Sequence, residues 1–333
     1  MRLVVTGGAG FVGSHTVAAL DRAGHEVVVV DDLRSGRAAF AQGHPLVRGD
    51  VADPVVLAAA FSDHGPVDGV LHFAGSIEVA RSVREPVAFY RDNVAGSLAV
   101  IGAAIEHRAR AFVFSSSAAV YGEPEAVPIP VDAAVAPVNP YGRGKAMVEQ
   151  VLADARMVDS LPWAALRYFN AAGAAPDGRL GEGHQPETHL IPLAIAAGAG
   201  RRPPLELYGT DYPTPDGTCV RDYVHVCDLA DAHVLAMEAL LDGGPSGPAN
   251  LGTGTGHSNR QVIATVGQVL GRPVPHVERP RRPGDPAELV ADPSEFVSRT
   301  GWAPRRTELA TIVADAWQWH RADWQALGSI GSP

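Results

Sequence analysis

The sequence predicts an α/β fold: a doubly wound parallel sheet with helices on both faces, joined to a smaller C-terminal substrate-binding lobe. Three observations predict it. Short β-branched runs alternate with Ala- and Leu-rich helical patterns through the first half of the 333-residue chain. The first run is followed at once by a glycine-rich loop, and the second ends in two aspartates. This order is typical of a unit that binds a dinucleotide.

The glycine-rich loop is the first local signal. Residues 2–6 form a predicted strand, and glycines then recur with GxxGxxG spacing before a helical pattern begins. Such glycines let the backbone approach a pyrophosphate and point the next helix N-terminus at it. A purely structural turn is the alternative, but the flanking strand, helix and acid agree with the nucleotide interpretation. The predicted cofactor contacts of the loop are Gly7, Gly10, Phe11, Val12 and Gly13.

The aspartates that end the second predicted strand indicate which dinucleotide binds. Asp31 lies 18 residues beyond Gly13, close to the spacing of about 20 at which a carboxylate holds the diol of an adenosine ribose. A carboxylate here would repel a 2′-phosphate, so NAD is the predicted cofactor, with Asp31 and Asp32 as contacts. The nearby Arg34 and Arg37 keep NADP open as an alternative.

Two later strand ends supply further predicted cofactor contacts. Asp50 and Val51 are placed to contact adenine, although an aspartate at a strand end is also a common helix cap. Residues 70–75 form a fourth predicted strand that ends in small residues, against which a cofactor can lie. The predicted contacts there are Phe73, Ala74 and Gly75, while His72 is interpreted as a core histidine.

A tyrosine and a lysine form the candidate catalytic pair. Tyr141 and Lys145 follow an Asn-Pro dipeptide that favours a helix start, and their i, i+4 spacing puts both on one helix face. A tyrosine with a pKa of about 10 is a poor base at pH 7 unless nearby cations stabilise its phenolate. A predicted strand over 111–114 runs into three serines earlier in the chain, of which Ser117 offers a hydroxyl to orient a substrate oxygen.

The chain resembles extended short-chain dehydrogenase/reductases, and among them it is most similar to the UDP-galactose 4-epimerases. Segments over nearly the whole chain carry the resemblance, and the later ones belong to sugar-nucleotide enzymes rather than to dehydrogenases at large. They are TGGAGFVGSH at 6–15, HFAG at 72–75, SSSAAVYG at 115–122, NPYGRGK at 139–145, RYFNAAGA at 167–174, ETHLIP at 187–192, 208–233 and RRPGDPAELVAD at 281–292.

The resemblance implies a reaction and roles for the central residues. Tyr141 would take the proton of the sugar 4-hydroxyl while C4 passes a hydride to NAD. The 4-keto sugar would then rotate and receive the hydride on its other face. Lys145 would bind the nicotinamide ribose and lower the pKa of Tyr141, and Ser117 would hydrogen-bond the reacting oxygen. Further cofactor contacts would be Asn93, Ser115, Tyr141, Lys145, Tyr168 and Phe169.

The resemblance also implies residues that hold the UDP-sugar. Arg221 and Arg282 would clamp the phosphates, since a diphosphate favours planar bidentate donors, although the neighbouring Arg281 could take the place of Arg282. An arginine beside an aspartate, as in Arg221-Asp222, is also a common structural ion pair. The implied substrate contacts are Ser117, Tyr141, Asn170, His189, Leu190, Tyr208, Arg221, Arg282, Asp285 and Leu289.

Single residues argue for or against the other activities that this fold supports. Sugar-nucleotide 4,6-dehydratases carry an Asp-Glu pair where this chain has Ala118 and Ala119, and decarboxylases carry an acid just after the serine. A dinucleotide-sensing regulator would usually lose the tyrosine or the lysine. Leu289, where some epimerases have a tyrosine, leaves UDP-GlcNAc/UDP-GalNAc epimerisation open. Pentose and uronate substrates also stay open, although Glu78 disfavours a carboxylated sugar.

Composition limits partners and location. The net charge of −10 and the absence of a basic cluster argue against nucleic acid. Cys219 and Cys227 form no CxxC pair and lie near no histidine cluster, so neither a disulfide framework nor a metal site is predicted. Without a basic leader or an apolar run of about 18 residues, a cytoplasmic protein with no membrane partner is expected.

Two units and a homodimer are predicted. The NAD-binding unit spans 1–172, with 220–250 returning to it, and the UDP-sugar lobe comprises 173–219 and 251–333. The resemblance implies a homodimer that forms through the helices near Asn93 and Tyr141.

Overall fold

The computed structural model describes residues 1–282 and 284–330, without the side chains of 326–330. The strands are β1 (Arg2–Thr6), β2 (Glu26–Asp31), β3 (Leu46–Arg48), β4 (Gly69–His72), β5 (Ala111–Ser117), β6 (Trp163–Tyr168), β7 (Asn170–Ala172), β8 (Leu205–Tyr208), β9 (Val220–His225), β10 (Gly247–Leu251), β11 (Gly256–Ser258), β12 (His276–Arg279) and β13 (Glu288–Leu289).

Helices separate most of these strands, and a π-helical turn at Arg91–Ala95 joins two of them into one continuous helical stretch. The α-helices are α1 (Phe11–Arg22), α2 (Pro54–Ser62), α3 (Val79–Arg84), α4 (Pro86–Tyr90), α5 (Gly96–Glu106), α6 (Pro140–Val158), α7 (Leu190–Gly198), α8 (Val226–Leu241), α9 (Asn259–Leu270), α10 (Ser294–Thr300) and α11 (Leu309–Ile330).

Seven parallel strands form the large sheet, in the order β10-β6-β5-β4-β1-β2-β3. Helices α1 and α8 cover one face of this sheet, and α2, α5 and α6 cover the other. Strand residues such as Leu3, Val4 and Val5 are therefore fully buried, because a parallel sheet with helices on both faces exposes neither side. The predicted doubly wound α/β fold is confirmed.

The order of the strands reverses between β1 and β4, which lie side by side although other elements separate them in the chain. In open α/β sheets, ligands bind where the connections at the carboxyl ends diverge in this way. The glycine-rich loop after β1 and residues 73–75 after β4 meet at this point. The fold thus brings two of the predicted cofactor segments to one crevice.

A second, smaller set of strands lies in the C-terminal part of the chain. Strand β9 pairs with β7, β11 and β13, while β8 and β12 form a separate parallel pair. Helices α7, α9 and α11 pack around these strands in their own apolar cluster. This is the smaller lobe that the sequence predicts.

The structure places three segments differently from the predicted domain boundaries. Strand β7, at the end of the predicted 1–172 unit, pairs with β9 in the second sheet. Within 220–250, helix α8 packs on the large sheet and strand β10 pairs with β6 at its edge, as predicted. Strand β9 instead lies in the second sheet, because β10 takes the edge position beside β6. Within 251–333, Phe296 and Trp302 around α10 are buried in the core of the large sheet. The chain therefore crosses between the two units more often than its sequence suggests.

No helix in the described part of the chain is both long and apolar enough to cross a membrane.

Candidate active site

The glycine-rich loop makes close backbone contacts that only glycine allows. Gly7 adopts a left-handed φ of +70°, and a Cβ there would lie 2.6 Å from the backbone nitrogen of Ala74. A Cβ on Gly13 would lie 2.1 Å from the carbonyl oxygen of Gly7. The loop therefore lies flat against the strand ends and presents the N-terminus of α1 to the crevice. This arrangement fits the pyrophosphate of a dinucleotide.

Asp31 fixes the loop from the end of β2. Its carboxylate accepts hydrogen bonds from the backbone nitrogens of Ala9, at 3.0 Å, and Leu33, at 2.8 Å. Burial raises the pKa of Asp31, while these two hydrogen bonds act to lower it. The side chain lines the crevice, where its remaining acceptor capacity fits a ribose diol.

The two arginines that kept NADP open are both paired with carboxylates. Arg34 forms a hydrogen-bonded ion pair with Asp32, and its backbone nitrogen donates to the same side chain at 2.9 Å. Arg37 turns away toward helix α11, where its Nη2 donates to Asp323 at 3.0 Å. This arrangement of charges favours NAD over a cofactor with a 2′-phosphate.

One continuous cleft at the carboxyl ends of the strands collects nearly all of the predicted cofactor contacts. They come from the loops after β1, β2, β3 and β4 and from β5, β6 and α6. The predicted contacts that line the cleft are Gly7, Gly10, Phe11, Val12, Gly13, Asp31, Asp32, Asp50, Val51, Phe73, Ala74, Gly75, Ser115, Tyr141, Lys145, Tyr168 and Phe169.

Asn93 lies behind this cleft and does not line it. Its side chain is buried, accepts a hydrogen bond from the backbone nitrogen of Ser76 at 2.7 Å and donates to the Ser76 carbonyl at 2.8 Å. Asn93 therefore fixes the loop after β4, where Gly75 has a φ of +156°. The structure gives it a role in shaping the cofactor site through that loop.

Helix α6 carries Tyr141 and Lys145 into the cleft. Its first turn is capped by Asn139, whose side chain accepts from the backbone nitrogen of Gly142 at 2.9 Å. Lys145 is buried, and its Nζ donates to the carbonyl oxygen of Ser115 at 2.6 Å. The same ammonium lies 5.8 Å from the centre of the Tyr141 ring. The i, i+4 pair is thus brought against the end of β5, as the sequence predicts.

The protonation of this pair is set mainly by burial. Burial lowers the pKa of Lys145 to about 8, and the nearby Glu149 partly opposes the shift. Burial raises the pKa of Tyr141, with a hydrogen bond to Ser117 opposing it. The resemblance implied a lowered pKa for Tyr141. The protein groups alone do not lower it, because the desolvation of the phenolate outweighs the hydrogen bond to Ser117.

The predicted substrate residues divide into two groups. Ser117, Tyr141, Asn170 and His189 line the same cleft as the cofactor contacts. The others lie on strands, at a helix start and in the loop between β12 and β13, outside the cleft-lining set. These are Leu190, Tyr208, Arg221, Arg282, Asp285 and Leu289.

The arginines of the smaller lobe have distinct surroundings. Arg221 is buried and forms an ion pair with Asp285, whereas its sequence neighbour Asp222 accepts backbone hydrogen bonds from another loop. The Arg282 guanidinium stacks 3.9 Å from the centre of the Tyr208 ring. Arg281 instead pairs with Asp211 at 2.7 Å. These contacts favour Arg282 over Arg281 as the phosphate ligand.

Leu289 belongs to a small apolar cluster next to the candidate catalytic residues. It is half-buried and packs on residues of the turn that follows Ser117, as Phe169 also does. Phe169 itself lines the cleft. Leu289 therefore shares its apolar cluster with one residue of the cleft wall.

A group of acidic and histidine side chains at the cleft was not predicted. Glu182, His184, Glu187 and His189 bring one potential ligand atom each within 4.8 Å of one another. The prediction of no metal site rests on the two cysteines, which lie near none of these histidines in the sequence. The E-x-H-x-x-E-x-H spacing within one loop is the signal that would have found them.

The fold and the Ser117, Tyr141 and Lys145 site define a dinucleotide-dependent enzyme of the extended short-chain dehydrogenase/reductase class. The chain belongs to the NAD dependent epimerase/dehydratase family, whose model matches residues 3–252. It is an epimerase, its cofactor is NAD as predicted, and the resemblance to the UDP-galactose 4-epimerases is confirmed.

Named relatives support this placement over their full length. The chain is 50% identical to the UDP-glucose 4-epimerase of Azospirillum brasilense over 333 residues, covering 100% of this chain and 95% of the relative. The Brucella ovis UDP-glucose 4-epimerase solved with NAD is 46% identical with a TM-score of 0.92, over 95% of this chain and 97% of that one. The UDP-Glc/GlcNAc 4-epimerase of Campylobacter jejuni is 36% identical with a TM-score of 0.83, over 96% and 99%.

Proposed function

We propose that this chain interconverts UDP-galactose and UDP-glucose by inverting the configuration at C4 of the sugar. The observation that carries the proposal is the convergence of Ser117, Tyr141 and Lys145 at the carboxyl end of β5, beside the glycine-rich loop. The full-length similarity to UDP-glucose 4-epimerases supports the choice of substrate.

In the proposed mechanism, Tyr141 removes the proton from the 4-hydroxyl and later returns it. Ser117 lies next to the Tyr141 phenol and orients the sugar oxygen by a hydrogen bond. Bound NAD would accept a hydride from C4 of the sugar and later return it to the same carbon, so the overall reaction needs no oxidant. The 4-keto sugar rotates in the cleft between the two transfers, and this inverts C4.

Lys145 has an electrostatic task in this scheme. Burial raises the pKa of Tyr141, so the phenol needs positive charge nearby before it can act as a base near pH 7. The Lys145 ammonium supplies part of this charge, because with a pKa of about 8 it stays mostly protonated at pH 7. Its hydrogen bond to the Ser115 carbonyl keeps the ammonium in place.

The UDP part of the substrate anchors the molecule while the sugar turns. Asn170 and the backbone at His189 and Leu190, where α7 begins, face the diphosphate, which a helix N-terminus favours. Arg221 and Arg282 clamp the phosphates, and Asp285 holds the uridine ribose. The ion pair between Arg221 and Asp285 keeps these two side chains next to each other.

A second substrate pair, UDP-GlcNAc and UDP-GalNAc, is favoured by one observation. Leu289 stands where some epimerases have a tyrosine, and it packs on the same apolar cluster as Phe169 of the cleft wall, so the smaller leucine would leave room for an N-acetyl group. The structural similarity to the Campylobacter UDP-Glc/GlcNAc enzyme agrees with this.

We also propose a homodimer and a cytoplasmic location. Apolar side chains are exposed on neighbouring helices of one face, namely Val83, Val87, Leu98 and Met147 of α3, α4, α5 and α6. Burying them against a second copy would remove this surface from water. Cys219 and Cys227 are free thiols, as suits a reducing compartment.

Product analysis of purified protein tests the proposed activity. UDP-galactose and UDP-GalNAc are incubated separately with the NAD-loaded enzyme, and the nucleotide sugars are separated by chromatography. We expect UDP-galactose to become UDP-glucose, and Tyr141→Phe to lower the rate by about 10²- to 10⁴-fold, the usual size of a general acid–base contribution.

Tyr90→Phe is the matched control, because Tyr90 packs against α6 near Gly144 but does not line the cleft. It should keep the rate within about twofold of the wild type, well below the effect of a lost acid–base group. Failure to convert either hexose would overturn the substrate assignment, and an equal loss in both variants would overturn the role of Tyr141.

A further inference from the structure

One loop of the smaller lobe concentrates the ligand-type side chains of the site. Glu182, His184, Glu187 and His189 lie within eight residues of each other and face a common centre, with one ligand atom from each inside a 4.8 Å span. Glu182 is buried, and the other three are half-buried. Of these four, only His189 is among the substrate contacts that the resemblance implies.

The distances show how closely the donor atoms converge. The Oε1 atom of Glu182 lies 2.6 Å from Nδ1 of His189 and 3.1 Å from Nδ1 of His184. Nδ1 of His189 also lies 3.1 Å from Oε1 of Glu187. Two carboxylates thus share one imidazole nitrogen. Such a group needs positive charge at its centre, either from a protonated histidine or from a cation.

The backbone that carries these side chains is held firmly by α11. The carbonyl oxygen of Glu182 accepts a hydrogen bond from Nε1 of Trp319 at 2.9 Å. A Cβ on Gly181 would lie 2.2 Å from the Trp319 ring, and one on Gly183 would lie 2.6 Å from the Arg37 guanidinium. Both glycines therefore allow the loop to press against its support. A fixed backbone is what a preorganised ligand set requires.

We propose that Glu182, His184, Glu187 and His189 bind a zinc ion that fixes the loop over the cofactor cleft. Two imidazoles with two carboxylates form a donor set for zinc, whereas magnesium and calcium favour oxygen ligands alone. Tetrahedral Zn²⁺ with bonds of about 2.0–2.2 Å places its ligand atoms about 3.4 Å apart. Small side-chain rotations bring the four donors, already within 4.8 Å, to this spacing.

The site would act on the cofactor side of the cleft. The His184 ring packs edge-to-face on Phe11 of the glycine-rich loop, with ring centres 6.3 Å apart. His189 is the N-cap residue of α7. A metal ion joining the two would hold the start of α7 against the dinucleotide loop. It would have a structural role, separate from the proposed chemistry at Tyr141, and it does not depend on which sugar is the substrate.

Metal binding is measured on full-length protein without a histidine tag, after dialysis against EDTA and then into metal-free buffer. Zn²⁺ is titrated by calorimetry, and bound zinc is counted by mass spectrometry after gel filtration. We expect one zinc per chain and a higher Tm with Zn²⁺, since a ligand that binds only the folded state stabilises it. His184→Ala and His189→Ala should each weaken binding at least about tenfold.

Two further variants keep the test decisive. Glu187→Gln removes one charged ligand with little change in shape, and it should also weaken zinc binding. It serves as the test variant if His184→Ala or His189→Ala does not fold. His276→Ala removes an exposed histidine of β12 outside the cluster and should leave zinc binding unchanged. Absence of stoichiometric zinc, or equal weakening by His276→Ala, would show that the four side chains form only a hydrogen-bonded cluster, and the proposal would be overturned.

Discussion

Lys145 is the only lysine of the 333-residue chain, in which all other side-chain cations except histidines are arginines. It is also buried, with its ammonium 4.7 Å from the centre of the Phe114 ring and hydrogen-bonded to the Ser115 carbonyl. An arginine keeps its proton throughout the accessible pH range, whereas the pKa of a lysine shifts readily on burial. The surroundings can therefore set the pKa of this side chain, as they could not for an arginine.

The titration of Lys145 can be observed directly. In chain freed of NAD and labelled with ¹³C-lysine, the single Cε resonance should titrate with a pKa of about 8, because burial disfavours the ammonium. NMR spectra from pH 6 to 11 provide the measurement. A midpoint above about 10, the ordinary lysine value, would show that the side chain is hydrated and would contradict a pKa lowered by burial.

The same shift predicts how stability depends on pH. Between a folded pKa of about 8 and the ordinary value of 10.5, the unfolded chain binds more protons than the folded chain, so the free energy of unfolding rises with pH in that window. Relative to Lys145→Met, the wild type should gain about 3 kcal/mol from pH 7 to 10.5. Urea unfolding of both proteins tests this, and a constant difference would contradict it.

At the scale of elements, α6 determines the positions of the proposed catalytic residues Tyr141 and Lys145. Glu149, one turn beyond Lys145, accepts hydrogen bonds from Ser116 at 2.5 Å and from Arg167 of β6 at 2.6 Å. At its start the helix lies next to the turn after β5, where a Cβ on Gly142 would lie 2.3 Å from the Ala119 carbonyl oxygen. Contacts at the middle and at the start of α6 thus fix how far Tyr141 stands from Ser117.

Substituting Gly142 should therefore affect catalysis more than folding. Gly142→Ala must move the start of α6 away from Ala119, and a displacement of about 1 Å in a catalytic group lowers kcat by about 10²-fold. Steady-state kinetics with UDP-galactose gives the measurement, alongside circular dichroism for the fold.

Gly102→Ala in α5 is the matched control for this change. A Cβ on Gly102 meets nothing within 4 Å. The substitution should leave kcat unchanged and stabilise the protein by about 0.5–1 kcal/mol, because alanine is the better helix former. Unchanged kcat in Gly142→Ala would show that the helix start tolerates displacement.

At the scale of the whole molecule, one buried carboxylate joins the two units. Asp222 of β9, in the smaller lobe, is fully buried and accepts backbone hydrogen bonds from Thr253 at 2.9 Å and Gly254 at 3.0 Å, just after β10 of the large sheet. It also accepts one from Ala291 at 3.3 Å. The end of the large sheet is thereby linked to the second sheet.

Removing this carboxylate should destabilise the entire protein. Asp222→Ala leaves three backbone N–H groups without their acceptor. The N–H of Ala291 is buried, and an unsatisfied buried donor costs about 1–3 kcal/mol, while each of the other two lost hydrogen bonds costs about 0.5–1.5 kcal/mol. We therefore expect a loss of at least about 2 kcal/mol in urea unfolding. Asp292→Ala is the control, because Asp292 also accepts a backbone hydrogen bond, from Ser294 at 2.9 Å, but at the surface. It should cost about 1 kcal/mol or less. Equal effects of the two would contradict the linking role.

Features that depend on neighbouring residues were predictable from the sequence. The glycine spacing after β1, the aspartate at the end of β2 and the Tyr141–Lys145 spacing each depend on a few neighbouring positions, because strand and helix geometry fixes where such side chains point. The fold class and the cofactor cleft therefore followed from local pattern, as did the proposed catalytic pair, and the family resemblance extended the prediction to the proposed substrate residues.

Other features depend on partners that are distant in the chain. The position of β9 in the second sheet was decided by which strand could pair with β6, and the partner of Arg221 proved to be Asp285, 64 residues away, rather than the adjacent Asp222. The raised pKa of Tyr141 reflects burial by several elements. The sequence alone determined the elements and the chemistry they carry, whereas the tertiary structure decided pairing, burial and charge balance, because these arise only when distant segments exclude water together.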